Sequence, residues 1–390
     1  MIAILYAAFF AATAVSAATT PDSSIPPTPL LPHPKIVASL PGTAVANITE
    51  CPPLTPRATI PTSVTDIRPD DIKVYMALGD SITAGLFEEG WEGLKTINEN
   101  RASAWSAGGK PDTSTLANFF RQYSPNIKGP STGDNIGLTL CYGPLCPPQI
   151  YQPTQGYNLA LSGALISNVH LEVDALIERV KIDGIVDIKN DWKYLTILIG
   201  ANDLCLACAN LLSPDSYERM LRMNIEKLRA AFPRMIIHIS TMFKVSEIYG
   251  ITKQKPYCAT LRDIGGFVEC PCAFAGKDTA LGGYWRGKMD AAADAWNVRI
   301  MQIARDYVGK YEDFAVIADP GTGGTPIHSF GIEFISNVDC FHPSAHGHAL
   351  LARGTWNNLF HAQKDKVTAY QITDALPLYC PTDADRIQVA

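Results

Sequence analysis

Apolar residues divide the chain after residue 70 into alternating short and long segments. Short, nearly continuous apolar runs such as "KVYMAL" are typical of buried strands, and apolar residues three and four positions apart are typical of helices. Strands that alternate with helices predict a mostly parallel sheet covered on both faces, a three-layer α/β/α sandwich. The runs predict strands at 73–78, 194–200, 235–243 and 314–319, and the helical spacing predicts helices from about residues 113, 168, 213, 284 and 345.

Two ranges between these elements have the character of insertions. Residues 86–155 and 250–283 interrupt the alternation, and each contains cysteines. Loops that bury no core of their own are often held by disulfides. In parallel α/β sheets the ligand lies at the carboxyl ends of the strands. The residues that follow "YMAL", "ILIG" and "VIAD" are therefore the first candidates for a functional site.

The N-terminal part of the chain differs from the rest. Residues 1–17 are apolar, uncharged and end in small residues, which predicts a signal peptide even though the usual basic start is missing. A membrane anchor is the alternative, but the stretch is short for a span. Residues 18–70 are rich in Pro, Thr and Ser and predict a leader or linker, or a tail pinned by Cys51 from that residue onward. A folded domain is predicted at 71–390.

Composition narrows the function further. The chain has 47% hydrophobic residues, enough for a substantial core, and its net charge of −6 with no basic run argues against a nucleic-acid partner. Its ten cysteines, an even number, predict disulfides in an exported protein. Asn47-Ile48-Thr49 is a glycosylation sequon. These features predict a secreted, extracellular protein.

The stretch "GDSITAG" places Ser81 directly after the first predicted strand. A hydrolytic serine needs a base, a carboxylate that orients the base, and donors for the oxyanion. Asp339 and His342 lie three positions apart, so one turn could join the carboxylate to the imidazole and leave its other nitrogen facing Ser81. Further polar or turn-forming residues, Gly163 and Asn202, follow other predicted elements.

At these residues the chain resembles the GDSL/SGNH hydrolases, and most closely their phospholipase B-like branch. The matching pieces are "GDSITAG", "NLALSGA", "IGANDLCLAC" and "DCFHPSAHGHALLARGTWNN", in the order of the family, between Lys73 and Phe360. Ile82 stands where the family name has Leu, which is an apolar exchange. The resemblance implies the flavodoxin-like sandwich of SGNH hydrolases.

The resemblance also implies a role for each candidate residue. Ser81 would be the nucleophile, His342 the base and Asp339 the residue that orients the base. The backbone N–H groups of Ser81 and Gly163 and the side-chain amide of Asn202 would form the oxyanion hole. Asp80 and Asp203 are expected to be structural, with Asp203 bracing the Asn202 turn.

Competing motifs give weaker predictions. The literal G-x-S-x-G around Ser131 lacks the preceding strand and following helix of a nucleophile elbow. His342, His346 and His348 with Asp339 could suggest zinc, but residues two apart do not share a helix face. The Gly-rich stretch 321–326 lacks the Lys of a P-loop and is predicted to be a loop.

The Cys205-x-x-Cys208 pair could be redox-active, or could form half of a zinc site with Cys270 and Cys272. In an exported chain, structural disulfides are the expectation.

Together these observations predict a secreted serine ester hydrolase of phospholipase B/lysophospholipase type. It would release fatty acids from phospholipids or lysophospholipids through an acyl-enzyme, without metal or cofactor. Its partners would be the lipid or another acyl-ester substrate and, transiently, a membrane surface. A carboxylesterase or carbohydrate esterase with a non-lipid substrate is the alternative, because the same residues serve any ester. A non-catalytic lipid-binding protein is the alternative from another class.

Overall fold

The computed structural model describes residues 42–91, 93, 97–137, 140–263, 269–373 and 375–390. The predicted signal peptide and residues 18–41 of the predicted leader lie outside this part of the chain. Across the described ranges, no helix has the length and apolar character needed to cross a bilayer.

A four-stranded parallel sheet with the order β2-β5-β6-β7 forms the centre of the fold. Its strands overlap the four predicted strands, and every residue of β5, β6 and β7 is buried. Burial on both faces explains why these segments are continuous apolar runs. The described strands are β1 (Ala44–Val45), β2 (Ile72–Gly79), β3 (Asn98–Glu99), β4 (Asn135–Ile136), β5 (Trp192–Leu198), β6 (Met235–Ser240), β7 (Phe314–Asp319) and β8 (Leu378–Tyr379).

Helices cover both faces of the sheet, which gives the predicted α/β sandwich. The described α-helices are α1 (Ser81–Ala84), α2 (Leu116–Tyr123), α3 (Val169–Asp183), α4 (Ala201–Leu204), α5 (Pro214–Ala231), α6 (Ile248–Ile251), α7 (Pro256–Leu261), α8 (Pro271–Phe274), α9 (Ala280–Tyr307), α10 (Pro320–Gly324) and α11 (Ala345–Asn358). One layer joins α3, α5 and α9. The other joins α2 and α11, and here the Phe120 ring contacts those of Tyr194 and Trp356.

Capping explains two of the differences from the predicted elements. The hydroxyl of Thr279 accepts a hydrogen bond from the Gly282 N–H, so α9 begins before the predicted residue 284. The Gly-rich stretch predicted as a loop contains α10, because the Asp319 side chain accepts from the Gly321 N–H and Pro320 occupies the first turn.

The segment at 42–70 belongs to the folded unit. Its strand β1 pairs antiparallel with β8, the Cys51–Cys380 disulfide fixes it to the C-terminal region, and Ile67 is fully buried. The predicted domain boundary at residue 70 is therefore too late. The Pro- and Thr-rich composition gives no indication of contacts with residues distant in sequence. The structure favours the alternative of a tail pinned by Cys51.

All ten cysteines lie in the described part and are paired, as the even number predicted. Cys205 and Cys208 bond to a different segment, so they form neither a bridge with each other nor a zinc site. Two of the pairs join the 250–283 insertion to α4 and its following turn, and a third joins it to the loop before α11. The pairs are Cys51–Cys380, Cys141–Cys146, Cys205–Cys270, Cys208–Cys272 and Cys258–Cys340.

Candidate active site

Ser81 lies on a sharp turn between the end of β2 and the start of α1. The side chain of Asp80 caps this helix by accepting a hydrogen bond of 3.0 Å from the Ile82 N–H. Gly79 has a φ of +151°, and a Cβ atom there would lie 2.3 Å from the Leu198 carbonyl oxygen. Glycine is therefore required where the chain leaves the sheet, and Ser81 becomes the first residue of the helix.

Asp339 and His342 form the predicted pair on the loop before α11. The Asp339 carboxylate accepts hydrogen bonds from the N–H groups of Phe341 (2.9 Å) and His342 (3.1 Å), which folds the loop into a tight turn. Its other oxygen lies 2.5 Å from His342 Nδ1, and His342 Nε2 lies 2.7 Å from Ser81 Oγ. The structure thus arranges the three side chains in one hydrogen-bonded series.

The surroundings of His342 favour its protonated form. Only 6% of the residue is exposed, and the rings of Phe341 and Phe87 contact the imidazole edge-on at 5.3 and 5.8 Å. Burial alone would lower the pKa of His342. The negative charge of Asp339, and after it that of Glu269, outweighs this and raises the pKa to about 9. A proton taken from Ser81 would accordingly be held well at His342.

Gly163 is brought to the end of β2 by a segment that runs beside that strand. Ala77 and Gly79 exchange backbone hydrogen bonds with Tyr157, Leu159 and Leu161 along this edge of the sheet. Gly163 follows with a φ of +84°, a conformation that favours glycine. The side chain of Asn202, in α4, donates a hydrogen bond of 3.0 Å to the Ala164 carbonyl. Asn202 is therefore held next to the turn that contains Gly163.

Asp203 and Asp80 are buried and bonded to backbone. Asp203 accepts a hydrogen bond of 2.9 Å from the Ile166 N–H, so it braces the Gly163 turn in addition to lying beside Asn202. Burial raises the pKa of Asp203 to about 7 and that of Asp80 to about 6. Both side chains therefore hold the neighbouring backbone in position through hydrogen bonds.

A buried ion pair that the sequence did not indicate holds the same turn. Arg101 donates to Glu99 at 2.7 Å and to the Ala160 carbonyl at 2.7 Å. Glu99 in turn accepts a hydrogen bond of 2.6 Å from the Ser162 hydroxyl. Both residues belong to the 86–155 insertion, where no motif or period marks them. Thus the insertion positions the residues that flank Gly163.

Glu269 is a second carboxyl group near His342 and was also not indicated by the sequence. Its Oε1 lies 3.7 Å from His342 Nδ1. Ligand atoms of Glu269, Asp339 and His342 lie within 4.8 Å of one another, the one such group of three in the described chain that could hold a metal ion. The predicted alternative cluster with His346 and His348 does not form there.

The other competing residues have structural partners. The Ser131 hydroxyl is buried and donates to the Gln155 carbonyl at 2.7 Å. Nδ1 of His348 accepts a hydrogen bond of 3.1 Å from the Trp105 N–H, and burial lowers the pKa of His348 to about 3. His348 is consequently neutral and belongs to the core beneath α11.

An apolar cavity opens beside the serine. Ser81, His342 and Asn202 line it together with side chains that are almost all aliphatic or aromatic. These side chains come from residues 243–248 after β6, the segment after α10 and the first turns of α11. They include Phe243, Val245, Ile248, Ile327, Phe330, Phe334, Ile335, Phe341, Leu350 and Leu351.

A serine, an imidazole and a carboxylate in hydrogen-bonded series at the edge of a parallel sheet are typical of serine hydrolases. The comparison with known families agrees with this class. The family described as GDSL-like Lipase/Acylhydrolase matches residues 75–354. The chain therefore belongs to the GDSL-like lipase/acylhydrolase family of ester hydrolases, as the resemblance predicted.

Curated relatives carry the name "Phospholipase B1, membrane-associated". The chain is 28% identical over 357 residues to the Homo sapiens protein, 30% over 348 residues to that of Rattus norvegicus and 29% over 351 residues to that of Mus musculus. Each alignment covers 85% of this chain and 22% of the relative. The chain thus spans about a fifth of the length of these relatives.

Among solved structures, the phospholipase A1 from Streptomyces albidoflavus NA297 matches 71% of this chain and 95% of its own. The TM-score is 0.31 and the sequence identity is 15%.

Proposed function

We propose that this protein is a secreted serine ester hydrolase of phospholipase B/lysophospholipase type, which releases fatty acids from phospholipids or lysophospholipids. The apolar cavity beside Ser81 is the observation that carries the choice of substrate. Its walls carry no Asp, Glu, Lys or Arg side chain that would bind a sugar or a small polar acid, whereas a fatty acyl chain would bury its methylene groups there. The name of the curated relatives supports the same choice.

The proposed reaction begins with Ser81. Its Oγ attacks the ester carbonyl carbon while His342 Nε2, 2.7 Å away, takes the hydroxyl proton. Asp339 keeps the imidazole in the orientation and tautomer that this transfer needs. The tetrahedral intermediate then collapses, His342 protonates the departing alcohol oxygen, and the fatty acyl group stays on Ser81. Water, deprotonated by His342, releases the fatty acid and restores the serine.

The oxyanion of each tetrahedral intermediate would be held by three donors. These are the backbone N–H groups of Ser81 and Gly163 and the side-chain amide of Asn202. An amide has two N–H bonds, and Asn202 uses one of them on the Ala164 carbonyl, which leaves the other for the oxyanion. This bond, together with the hydrogen bonds of Asp203 and Arg101, would hold the three oxyanion donors in place before the substrate binds.

Contact with a membrane surface and export belong to the same proposal. Trp91 is 61% exposed, and its N–H groups are bonded to Asn337, two residues before Asp339. Leu145 is 57% exposed, in the disulfide loop whose Cys141 is hydrogen-bonded to Ser162. Exposed apolar side chains in loops joined to the site suit a lipid surface. Five disulfides are typical of oxidising compartments and support export.

The product spectrum tests the proposed substrate. The purified protein is incubated separately with diacyl phospholipid, lysophospholipid, triglyceride and an acetylated sugar, and products are identified by mass spectrometry. Free fatty acid from the two phospholipids, absent with Ser81→Ala, is the expected result. Turnover of the acetylated sugar alone would instead assign the chain to the carbohydrate esterases.

A further inference from the structure

The apolar cavity follows the carboxyl edge of the sheet across all four central strands. A residue shortly after each strand lines it: Ser81 after β2, Asn202 after β5, Phe243 after β6 and Thr322 after β7. Neighbouring strands lie about 4.8 Å apart, so the order β2-β5-β6-β7 separates the two outer strand ends by about 14 Å. The serine therefore lies at one end of the cavity, and the turn after β7 lies at the other.

Helix α11 gives a second estimate of the same length. Gly347, Leu350 and Leu351 line the cavity, and Gly354 follows on the same face of the helix. The helix begins three residues after His342, so this face leads away from the proposed base. At about 1.5 Å per residue, Gly354 lies about 14 Å from the start of α11. The sheet edge and the helix thus measure the same distance from the site.

Tyr370 lies where the sheet edge and this helix face meet. Its ring packs so closely on Gly354 and Gly321 that an added Cβ atom would lie 2.5 Å and 2.2 Å, respectively, from ring carbon atoms. The hydroxyl of Tyr370 is 3.4 Å from Thr322 Oγ1, in the turn after β7. Tyr370 is buried and lines the cavity. Its ring therefore forms the cavity wall at the end opposite the serine.

The Tyr370 ring is held in place from both of its ends. The hydroxyl donates a hydrogen bond of 2.6 Å to Asp319, and the backbone N–H donates one of 2.8 Å to Thr325 Oγ1. Phe334 and Leu350 pack with the ring in a small apolar cluster. Because the hydroxyl is already bonded within the protein, an acyl chain would meet the carbon atoms of a fixed ring.

We propose that Tyr370 sets the longest acyl chain that the enzyme accepts, because its ring closes the end of the cavity opposite Ser81. This inference rests on the proposed function, in which the acyl chain of the substrate lies in this cavity. A chain of up to about 14 Å would bury all its methylene groups. A longer chain would have to bend or leave its end in water. A smaller side chain in place of the ring would open the space between Gly321 and Gly354 to the end of the chain.

Hydrolysis of nitrophenyl esters that differ only in the length of a saturated acyl chain tests this role. The esters are presented in identical detergent micelles, and kcat/KM is measured for each. For the native protein, kcat/KM should rise until the chain fills the span of about 14 Å and then level off or fall. In Tyr370→Leu the maximum should move to longer chains. The kcat/KM for the longest ester, relative to that for the native optimum, should rise about tenfold.

Two further variants separate the ring from its hydrogen bond and from buried packing in general. Tyr370→Phe loses only the hydroxyl, so it should unfold at a lower temperature and keep the native chain-length maximum. Tyr123→Leu is the matched control, because Tyr123 is a buried tyrosine in α2 that stacks on Trp356 with ring centroids 6.0 Å apart. Its maximum should also be native. Thermal unfolding verifies that each variant is folded, and the native profile remains a test if Tyr370→Leu is not.

A native kcat/KM that keeps rising for chains well beyond this span would overturn the proposal. An unshifted maximum in folded Tyr370→Leu would overturn it as well, and so would an equal shift in Tyr370→Phe, which would assign the limit to the hydrogen bond with Asp319. If the native protein hydrolyses none of the esters, the proposed function itself fails. Native hydrolysis with the same maximum in Tyr370→Leu removes only the role of Tyr370.

Discussion

Among the described residues, two buried imidazole–aspartate pairs are placed very differently. His342 and Asp339 lie on a loop at the carboxyl edge of the sheet, next to a serine and an apolar cavity. His238 and Asp319 lie within β6 and β7, with Nε2 and Oδ2 3.6 Å apart. There the Tyr194 hydroxyl is bonded to His238 Nδ1.

In the second pair, the aspartate is enclosed by hydrogen-bond donors. Asp319 accepts hydrogen bonds from the Tyr370 hydroxyl (2.6 Å), the Asn358 amide (2.7 Å) and the Gly321 N–H (2.8 Å). Burial lowers the pKa of His238, while the pKa of His342 is raised. The comparison teaches that an imidazole beside a carboxylate is not sufficient for catalysis. A free ring nitrogen must face a nucleophile, and the nucleophile must be reachable from a cavity.

Removal of the nucleophile should have the largest effect on activity. Ser81→Ala is expected to lower ester hydrolysis by about 10⁴-fold or more, because no other group can form the acyl-enzyme. Its melting temperature should stay close to that of the native protein. Ser131→Ala, a change at the other candidate serine, should keep most of the activity. Assays of ester hydrolysis and thermal unfolding on both variants check this, and loss of activity only in Ser131→Ala would reverse the assignment.

The same substitution in the two pairs should separate catalysis from stability. Asp339→Asn should lower kcat by about 10³–10⁴-fold with little change in the free energy of unfolding, because His342 loses its orienting anion. Asp319→Asn should lower the free energy of unfolding by about 3–5 kcal/mol, because it breaks a buried network.

Chemical denaturation and initial rates measure both effects, and below its unfolding transition Asp319→Asn should stay active. If Asp339→Asn and Asp319→Asn both lowered the free energy of unfolding and neither lowered kcat, the distinction between the two pairs would be wrong.

The oxyanion donors provide a smaller effect. Asn202→Ala should lower kcat by about 10²–10³-fold and leave KM nearly unchanged, because the amide would act only on the charged intermediate. Asn210→Ala, on the exposed turn after α4, is the control. An Asn202→Ala variant with native kcat would remove this residue from the oxyanion hole.

The smallest effect concerns the cavity wall. Because Phe is larger than Leu, Leu350→Phe should fill part of the apolar cavity. Hydrolysis of long-chain esters should then fall by about 10- to 100-fold relative to short-chain esters. Leu171→Phe, on the half-exposed surface of α3, should leave this ratio unchanged. A panel of esters that differ only in acyl length gives the ratio. If the ratio is unaffected by Leu350→Phe, the acyl chain does not bind in this cavity.

The sequence predicted the features that depend on local pattern. The four buried strands have apolar runs that a parallel sheet requires, and Ser81, Asp339 and His342 lie in short motifs at predicted element ends. The rule that the carboxyl ends of parallel strands meet at one edge accounts for Ser81 and Asn202, which follow β2 and β5, whereas the pairing of Asp339 and His342 with Ser81 was implied by the family resemblance.

What the sequence did not predict depends on contacts between distant segments. Glu269 and Arg101 lie in insertions without a regular period, and their positions follow from disulfides and buried hydrogen bonds that bring separate loops together. The pairing of ten cysteines cannot be derived from their spacing alone. The packing of residues 42–70 depends likewise on the Cys51–Cys380 bridge, whose partners are 329 positions apart.

The most direct test of the central claim is to locate the activated serine. The native protein is treated with a fluorophosphonate probe at neutral pH, digested, and the modified peptide is sequenced by mass spectrometry. We expect one adduct, on Ser81, that disappears in Ser81→Ala and is strongly reduced in Asp339→Asn but not in Asp319→Asn. An adduct on another serine, or no adduct on the folded native protein, would contradict the account.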